Sequence, residues 1–378
     1  MSENDIDWVK AYGIINSPDF DCEAFLHGYD FYDAAVERYQ RDGIVSSFSD
    51  YIWTLRSMFL PLLTIMGKDI PRADIYHAVS AGYAGVIGAL GSLLYNKPFI
   101  LSEHGIYTRE REEELIRSKW TRGFFKEMWI QHFYMLSQFA YNQASSVVSL
   151  FDKNAAIQQE LGCPPEKIVV IPNGVDAAQY GDINWRRQND GYVNIGAVIR
   201  FSPIKDVKTM ITAFAETKKR VKNARFYLMG PYDEDPEYYQ ECMNMISQLG
   251  LEDIEVPGRV NVREYLPLMD IMVLTSISEG QPLAILEGML MHKPWVATNV
   301  GNCQELLYGK SNDPAKRAGI IAAVMDPKGI ADAIVKLAGD ERLRLDMGEA
   351  GYRRASKYYR LEDMYEGYKI LYENYRGK

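Results

Sequence analysis

Four cysteines in 378 residues (Cys22, Cys163, Cys242 and Cys303) stand far apart, with no C-x-x-C pair and no histidine at zinc spacing. This excludes a disulfide framework and a sequence-local zinc site, and it points to reduced thiols in a cytosolic protein. Positive charge is also scarce. The chain has 42 Lys and Arg against 51 Asp and Glu, a net charge of −9. Nucleic-acid partners call for a basic face, so that class is set aside. There is no Walker motif, no G-x-G-x-x-G after a strand, and no nucleophile elbow on which a Ser-His-Asp hydrolase could be built. The opening residues, MSENDIDWVK, lack a signal-peptide pattern. Low-complexity tracts and solenoid-length repeats are missing too. The uncharged stretch from Ala78 to Tyr95 is long enough to be weighed as a membrane span. Its four glycines and two serines, and the strand-like segments on either side, favour a helix buried beneath a parallel sheet.

What is present is a 47% hydrophobic, 25% charged composition, that of a soluble globular protein. At this length two domains are expected rather than one core. The first seventy or so residues are aromatic-rich and helical, notably 31–41 and 48–66, with no opening β–α unit. Alternation follows: strands at 75–78, 99–102, 146–150 and 168–171, a helix at 82–94, long helical stretches over 109–142, and a helix ending at Leu161. The turn Pro172-Asn173-Gly174 and a polar linker over 181–191 precede a second series. Its strands are expected at 193–198, 226–229, 254–256, 271–275 and 295–298, with helices at 207–221 and 236–249. Strands alternating with helices at this spacing imply parallel sheets covered on both faces, with ligands at the strands' carboxyl ends.

The second series is organised around IMVLTSISEGQPLAILEGMLMH, Ile271 to His292. An apolar strand runs into a polar loop, Ser276 to Gln281. Pro282 stands where a first helical residue would be, since its missing N–H would have no partner there. Leu283, Ile285, Leu286 and Leu290 supply the apolar face of the helix. Free N–H groups at a helix start attract anions. Glu279 in the loop and Glu287 in the helix would repel phosphate but accept hydrogen bonds from hydroxyls. A ligand with phosphate in the middle and sugars at both ends, such as a nucleotide-sugar, fits this combination. From the stretch alone, solvated surface carboxylates fit equally well.

Arg200 and Lys205 follow the first strand of the same series and bracket a proline turn, so they could clamp a diphosphate. Taken alone, they are two solvated loop charges; their position at the same sheet end as the glutamates favours the clamp. Gly258-Arg259-Val260 follows another strand and suits backbone contacts to a planar base. In the first series His104 comes directly after a strand, within Ser102-Glu103-His104-Gly105, and is expected at the ligand end. His77 has apolar surroundings that favour a structural role. His27, His132 and His292 show no partner pattern, and Asp176 suits a turn or cap.

Taken together, these residues resemble the GT-B-fold retaining glycosyltransferases of glycosyltransferase family 4, from about Pro71 onward. The strongest elements are Glu279-x7-Glu287, Arg200 with Lys205, and the IPNGVD turn at Ile171 to Asp176. HAVSAGYAGVIGAL (His77 to Leu90) and SEHGIYTRERE (Ser102 to Glu112) narrow the resemblance to PelF-type exopolysaccharide glycosyltransferases. It implies two doubly wound Rossmann-like domains, an acceptor-side domain over 1–183 and a donor domain over 184–355. A C-terminal helix over 356–378 is expected to pack back on the first domain. The implied donor is UDP-glucose and the acceptor a growing glycan.

In that scheme Arg200 and Lys205 hold the diphosphate and Glu279 meets the sugar hydroxyls. The loop and helix start from Gly280 through Gln281, Pro282 and Leu283 assist at the sugar and phosphates. Glu287 binds the ribose, Val260 faces the base, and His104 contacts the donor sugar. No cofactor and no divalent metal is expected, because the cations neutralise the leaving group. Partners at the inner membrane and a cytoplasmic, peripheral location follow from the same resemblance. Family members usually begin with a strand and a Gly-Gly loop. None precedes Asp5, so an incomplete first domain is expected. Two other readings stay open: a non-catalytic nucleotide-sugar-binding subunit of a polysaccharide-synthesis assembly, and a UDP-sugar epimerase of the same fold.

Overall fold

The computed structural model describes residues 6–118, 120–121, 123–185, 190–310, 313 and 316–377. The chain forms two compact units, Met1–Ile171 with Lys369–Lys378, and Pro172–Tyr368. The division falls earlier than the 183/184 boundary expected from the polar linker. The Pro172 turn is the reason: Val175 N donates to Tyr359 O at 2.9 Å, and Leu361 N donates to Val175 O at 3.1 Å. Gly174 permits that approach, since a Cβ there would lie 2.4 Å from the Arg360 carbonyl oxygen.

In the first unit four helices come first: α1 (Trp8–Ile15), α2 (Cys22–His27), α3 (Tyr29–Arg41) and α4 (Phe48–Met66). Asp7, Asp21 and Ser47 cap α1, α2 and α4 by accepting from free first-turn N–H groups. The sheet follows: β1 (Tyr76–Ala78), α5 (Tyr83–Tyr95), β2 (Phe99–Glu103), α6 (Tyr107–Arg117), α7 (Phe124–Gln143), β3 (Ser146–Ser149), α8 (Asp152–Glu160) and β4 (Ile168–Val170). The strands are parallel and lie in chain order, β1-β2-β3-β4. Right-handed crossovers between neighbours taken in one direction put α5 to α8 on one face. There Phe99, Leu101 and Val147 pack with Leu136, Phe139 and Ala140, and Trp8 stacks on Phe139 at 4.1 Å. The uncharged stretch over 78–95 is therefore β1 running into the buried α5, and no described helix is long and apolar enough to cross a membrane.

The opposite face of this sheet carries His77, Ile100 and Ser146, which stand side by side in register. The last residues of the chain reach it. Tyr372 Oη shares a 2.6 Å hydrogen bond with His77 Nδ1, and Tyr375 Oη shares another with Ser146 Oγ at 2.6 Å. Tyr375 also donates to Ser145 O at 2.9 Å.

The second unit runs β5 (Val193–Val198), α9 (Val207–Arg220), β6 (Ala224–Met229), α10 (Pro236–Gln248), β7 (Ile254–Gly258), α11 (Val262–Tyr265), β8 (Ile271–Leu274), α12 (Leu283–Leu290), β9 (Trp295–Thr298), α13 (Cys303–Tyr308), β10 (Gly319–Ala322), α14 (Pro327–Ala338) and α15 (Glu341–Tyr358). The last helix, α16 (Leu361–Glu373), begins in this unit. Strand order is β10-β9-β8-β5-β6-β7, all parallel. The chain steps outward from β5 to β7, then restarts at β8 on the other side of β5. One face packs on α9, α10 and α14, the other on α12, α13 and α15. Ligands of such sheets bind at the carboxyl ends where the order reverses, here between β5 and β8.

Candidate active site

The β5 and β8 ends bring together two of the residues expected there. Lys205 sits at the end of a 3-10 turn over Pro203–Lys205, and Glu279 in the loop after β8. Lys205 Nζ donates to Glu279 Oε1 at 2.6 Å, with side chains only 18% and 12% exposed. Ser276 Oγ donates to the same carboxylate oxygen. The two loops are sewn together by backbone. Ile277 N donates to Ile204 O at 2.9 Å, and Thr275 Oγ1 donates to Lys205 O at 2.9 Å. Thr298 Oγ1 holds Ser276 O at 2.6 Å from the end of β9. These bonds fix the loops against one another, and the ion pair is held in a pre-formed geometry.

Gly301 permits a further close approach. It sits at φ +49°, and a Cβ there would lie 2.2 Å from Glu279 O and 2.3 Å from Gly280 O. Asn302 N then donates to Gly280 O at 2.9 Å. Gln281 is 5% exposed, and its Oε1 accepts from Asn173 N at 2.7 Å, which ties the IPNGVD turn to the loop. Its Nε2 is buried without a hydrogen bond among the described residues, a donor still unspent at the site.

Two local expectations are corrected. Pro282 is the N-cap of α12 and not its first helical residue, because its ψ of 115° is extended. Leu283 faces outward at 47% exposure, while Ile285, Leu286, Met289 and Leu290 form the buried face. Ile285, Leu286 and Leu290 thus lie on the buried face as expected, Met289 joins them, only Leu283 departs from the stripe, and Gly288 is pressed on Trp295.

Arg200 is not joined to this pair. It lies beyond β5 and pairs with Glu234 at 3.1 Å, both largely exposed (55% and 45%). Glu287, half-buried on α12, has partners the sequence did not suggest. Burial raises its pKa, and the Arg263 guanidinium opposes that rise. Arg263 lies over the Tyr180 ring at 5.6 Å, and burial, then the Glu287 charge, push the Tyr180 hydroxyl up to about 12. Val260 is half-buried beyond β7, where Gly230 N donates to Gly258 O at 2.8 Å. At Gly230 a Cβ would meet Ile199 O at 1.6 Å, so the ends of β5, β6 and β7 are drawn close together.

In the first unit His104 is an exposed residue directly after β2, and its charge helps burial to lower the pKa of His77. His77, expected in apolar surroundings, has polar partners instead, bonded through Nε2 to Ser102 Oγ at 2.8 Å and through Nδ1 to Tyr372 Oη. Glu103, between Ser102 and His104, was not singled out. It is 2% exposed and accepts from Tyr141 Oη at 2.6 Å, Gln158 Nε2 at 3.0 Å and Tyr107 N at 3.3 Å. His132 is buried and desolvation lowers it to about 4. His292 does have partners: its ring is stacked between Trp185 at 4.1 Å and Tyr352 at 4.2 Å. Asp176 caps the turn over Ala177–Tyr180 through Ala178 N.

Residues 192–340 match the family model "Glycosyl transferases group 1", and residues 3–166 match "Domain of unknown function (DUF3492)". A solved structure of Anabaena Alr3699/HepE, in complex with UDP and glucose, aligns over 85% of this chain and 81% of its own, with a TM-score of 0.65 and 20% identity. The fold is GT-B. Among curated proteins, an uncharacterized glycosyltransferase, MJ1178 of Methanocaldococcus jannaschii, is 28% identical over 82% of this chain and 78% of its own length. The N-acetyl-alpha-D-glucosaminyl L-malate synthase of Bacillus anthracis is 26% identical over 63% of this chain and 61% of its own. The group 1 match spans β5 to α14 and so contains Arg200, Lys205, Val260, Glu279 and Glu287.

Proposed function

We propose that this chain is a retaining glycosyltransferase that moves a hexose from a UDP-sugar, with UDP-glucose the expected donor, to a growing glycan. The observation that carries the reading is the Lys205–Glu279 ion pair, pre-formed where the strand order of the second unit reverses. In the free protein each group occupies the place of a ligand. When a nucleotide diphosphate enters, the Lys205 ammonium exchanges Glu279 for phosphate oxygen. The released carboxylate then accepts from hydroxyls of the sugar.

Breaking the sugar's C–O bond leaves negative charge on the departing diphosphate. A fixed ammonium, the Arg200 guanidinium and the N–H groups of Gln281 and Leu283 stabilise that charge where it develops. No divalent metal is needed in this scheme. Glu287, beside Arg263, takes the ribose hydroxyls, Val260 flanks the base, and His104 keeps the role its resemblance gives it, a contact with the donor sugar. The presence of UDP and glucose in the HepE complex supports the donor class. The PelF-type motifs support an exopolysaccharide acceptor and work beside membrane proteins at the cytoplasmic face.

The test is UDP release from UDP-glucose, with and without an acceptor extract, and with analysis of the sugar product. Acceptor-dependent release that disappears in Lys205→Ala is expected. UDP binding without any release would overturn the transferase reading in favour of a binding subunit. An altered free sugar nucleotide would overturn it in favour of an epimerase.

A further inference from the structure

Ser102 and Glu103 close β2, and their side chains leave on opposite faces of the sheet, as successive strand residues do. On the helix-covered face Glu103 takes its hydrogen bonds from Tyr141 on α7, Gln158 on α8 and the backbone of Tyr107. On the other face Ser102 is 1% exposed, and its Oγ shares a hydrogen bond with His77 Nε2 at 2.8 Å. His77 is tied outward in turn, through Nδ1 to Tyr372 Oη at 2.6 Å, with the two rings edge-on at 5.8 Å. All of these residues belong to the first unit, which takes in Lys369–Lys378. Burial, and then the nearby His104, lower the pKa of His77, so its ring is neutral at pH 7. A neutral imidazole offers one N–H and one lone pair, and a hydroxyl can match either. The row Tyr372–His77–Ser102 is therefore complete with either ring nitrogen protonated. Beyond it the Glu110 carboxylate lies against Gly105, where a Cβ would stand 1.9 Å from Oε1. Within residues 102–106 only His104 is exposed, at the tip of a segment fixed on both faces.

We infer that His77 is a positioning residue for the proposed transfer: anchored by Tyr372, it fixes Ser102 and with it the backbone that carries His104. This deepens the reading of His104 as a contact to the donor sugar and rests on it. The physical reason is rotational. Glu103 alone would hold the end of β2 from one face, leaving the backbone free to rock about the strand axis. A second hold on the opposite face, through Ser102, removes that freedom. The aim of a reacting group matters at this scale, since a misplacement of about 1 Å can cost about 10²-fold in rate. His77 touches neither donor nor acceptor in this scheme and acts only through His104.

The experiment measures UDP release from UDP-glucose with the acceptor extract, for the full chain, His77→Phe and Tyr372→Phe, and for each variant combined with His104→Ala. His77→Phe keeps a ring and removes both hydrogen bonds, and Tyr372→Phe removes one hydroxyl. The expected loss in kcat is about tenfold in His77→Phe and about threefold in Tyr372→Phe. Calorimetric UDP affinity is expected to be unchanged, because UDP has no sugar for His104 to meet. In the His104→Ala background neither change is expected to slow turnover further, since an effect passed through His104 vanishes with it. Equal slowing with and without His104 would show a structural role alone and overturn the inference, as would an unchanged kcat in His77→Phe. Amide exchange read by mass spectrometry supplies a measure independent of turnover. Exchange over 102–106 is expected to quicken in both variants, with the second unit as protected as in wild type. Unchanged exchange there would also overturn the inference. If His77→Phe loosens the whole first unit, Tyr372→Phe decides. Wild-type turnover with unaffected variants defeats this inference alone. UDP binding without release by the wild type defeats the transferase reading, and the exchange over 102–106 then still shows whether His77 holds that segment.

Discussion

Each unit holds a nearly buried glutamate at or just beyond the carboxyl end of a sheet strand, and the two differ in what holds them. Glu103, at the end of β2, is held by neutral donors: a phenol, a carboxamide and a backbone N–H. Glu279, in the loop after β8, is held by an ammonium at 2.6 Å. Neutral donors cannot offset the loss of water, so desolvation raises the pKa of Glu103 despite three hydrogen bonds. An ammonium supplies a full compensating charge and can itself be displaced by a ligand. On the proposed reading, Glu103 is a structural device and the Lys205–Glu279 pair a place that an anion can open.

The sharpest way to break that comparison is to remove the cation. Lys205→Ala is expected to cut turnover by about 10²–10³-fold, the usual cost of losing one donor aimed at developing charge. Turnover within a few-fold of wild type would remove the ion pair from the mechanism. Next comes the backbone that holds the pair. Gly301→Ala places a Cβ against Glu279 O in a left-handed conformation. It is expected to cost on the order of 2 kcal/mol in denaturant unfolding and to weaken UDP binding with it.

Arg200→Ala is the milder counterpart of the lysine change. Its pair with Glu234 is exposed, so stability should move by less than about 0.5 kcal/mol. The loss of a guanidinium–phosphate bond should still weaken UDP binding by about tenfold, more at low salt than at high salt. The smallest effect is expected at Glu103, and it is a slope. A carboxyl whose folded pKa is raised binds its proton more tightly in the native state. Its stabilising contribution is thus full below the ordinary glutamate value and is lost as pH rises toward the raised folded value. Glu103→Gln should flatten that part of the stability–pH profile by less than about 1.4 kcal/mol per pH unit. An unchanged slope would show that Glu103 is not the group responsible.

Much of the second unit could be read in advance. β5 and β9 were expected where they occur, because each is a short apolar run closed by a turn, and in the first unit the long helical stretch at 48–66 is α4. The alternation of strands and helices put Lys205 and Glu279 at the same end of one sheet, but the pairing of β5 with β8 and the ion pair itself emerged only in the structure. β10, the four residues GIIA, was not singled out in the sequence. The exposure of Leu283 escaped as well, since it looks like core until Pro282 takes an extended ψ and shifts the helix start by one residue. Glu287's neighbours, Arg263 and Tyr180, come from segments far apart in sequence, and nothing in their local patterns joins them. Glu103 was passed over because the adjacent His104 carried the recognisable chemistry, while its own partners lie 38 and 55 residues further on. The stacking of His292 between Trp185 and Tyr352 depends on three separate segments and was equally hidden.

The central claim is that Lys205 leaves Glu279 for the diphosphate of a nucleotide. Calorimetric titration of UDP into the wild-type chain, Lys205→Ala and Glu279→Gln tests it directly. Binding should be lost or sharply weakened in Lys205→Ala. In Glu279→Gln it should be retained or tightened, because the lysine no longer has a carboxylate to give up. Unchanged UDP affinity in Lys205→Ala would contradict the account.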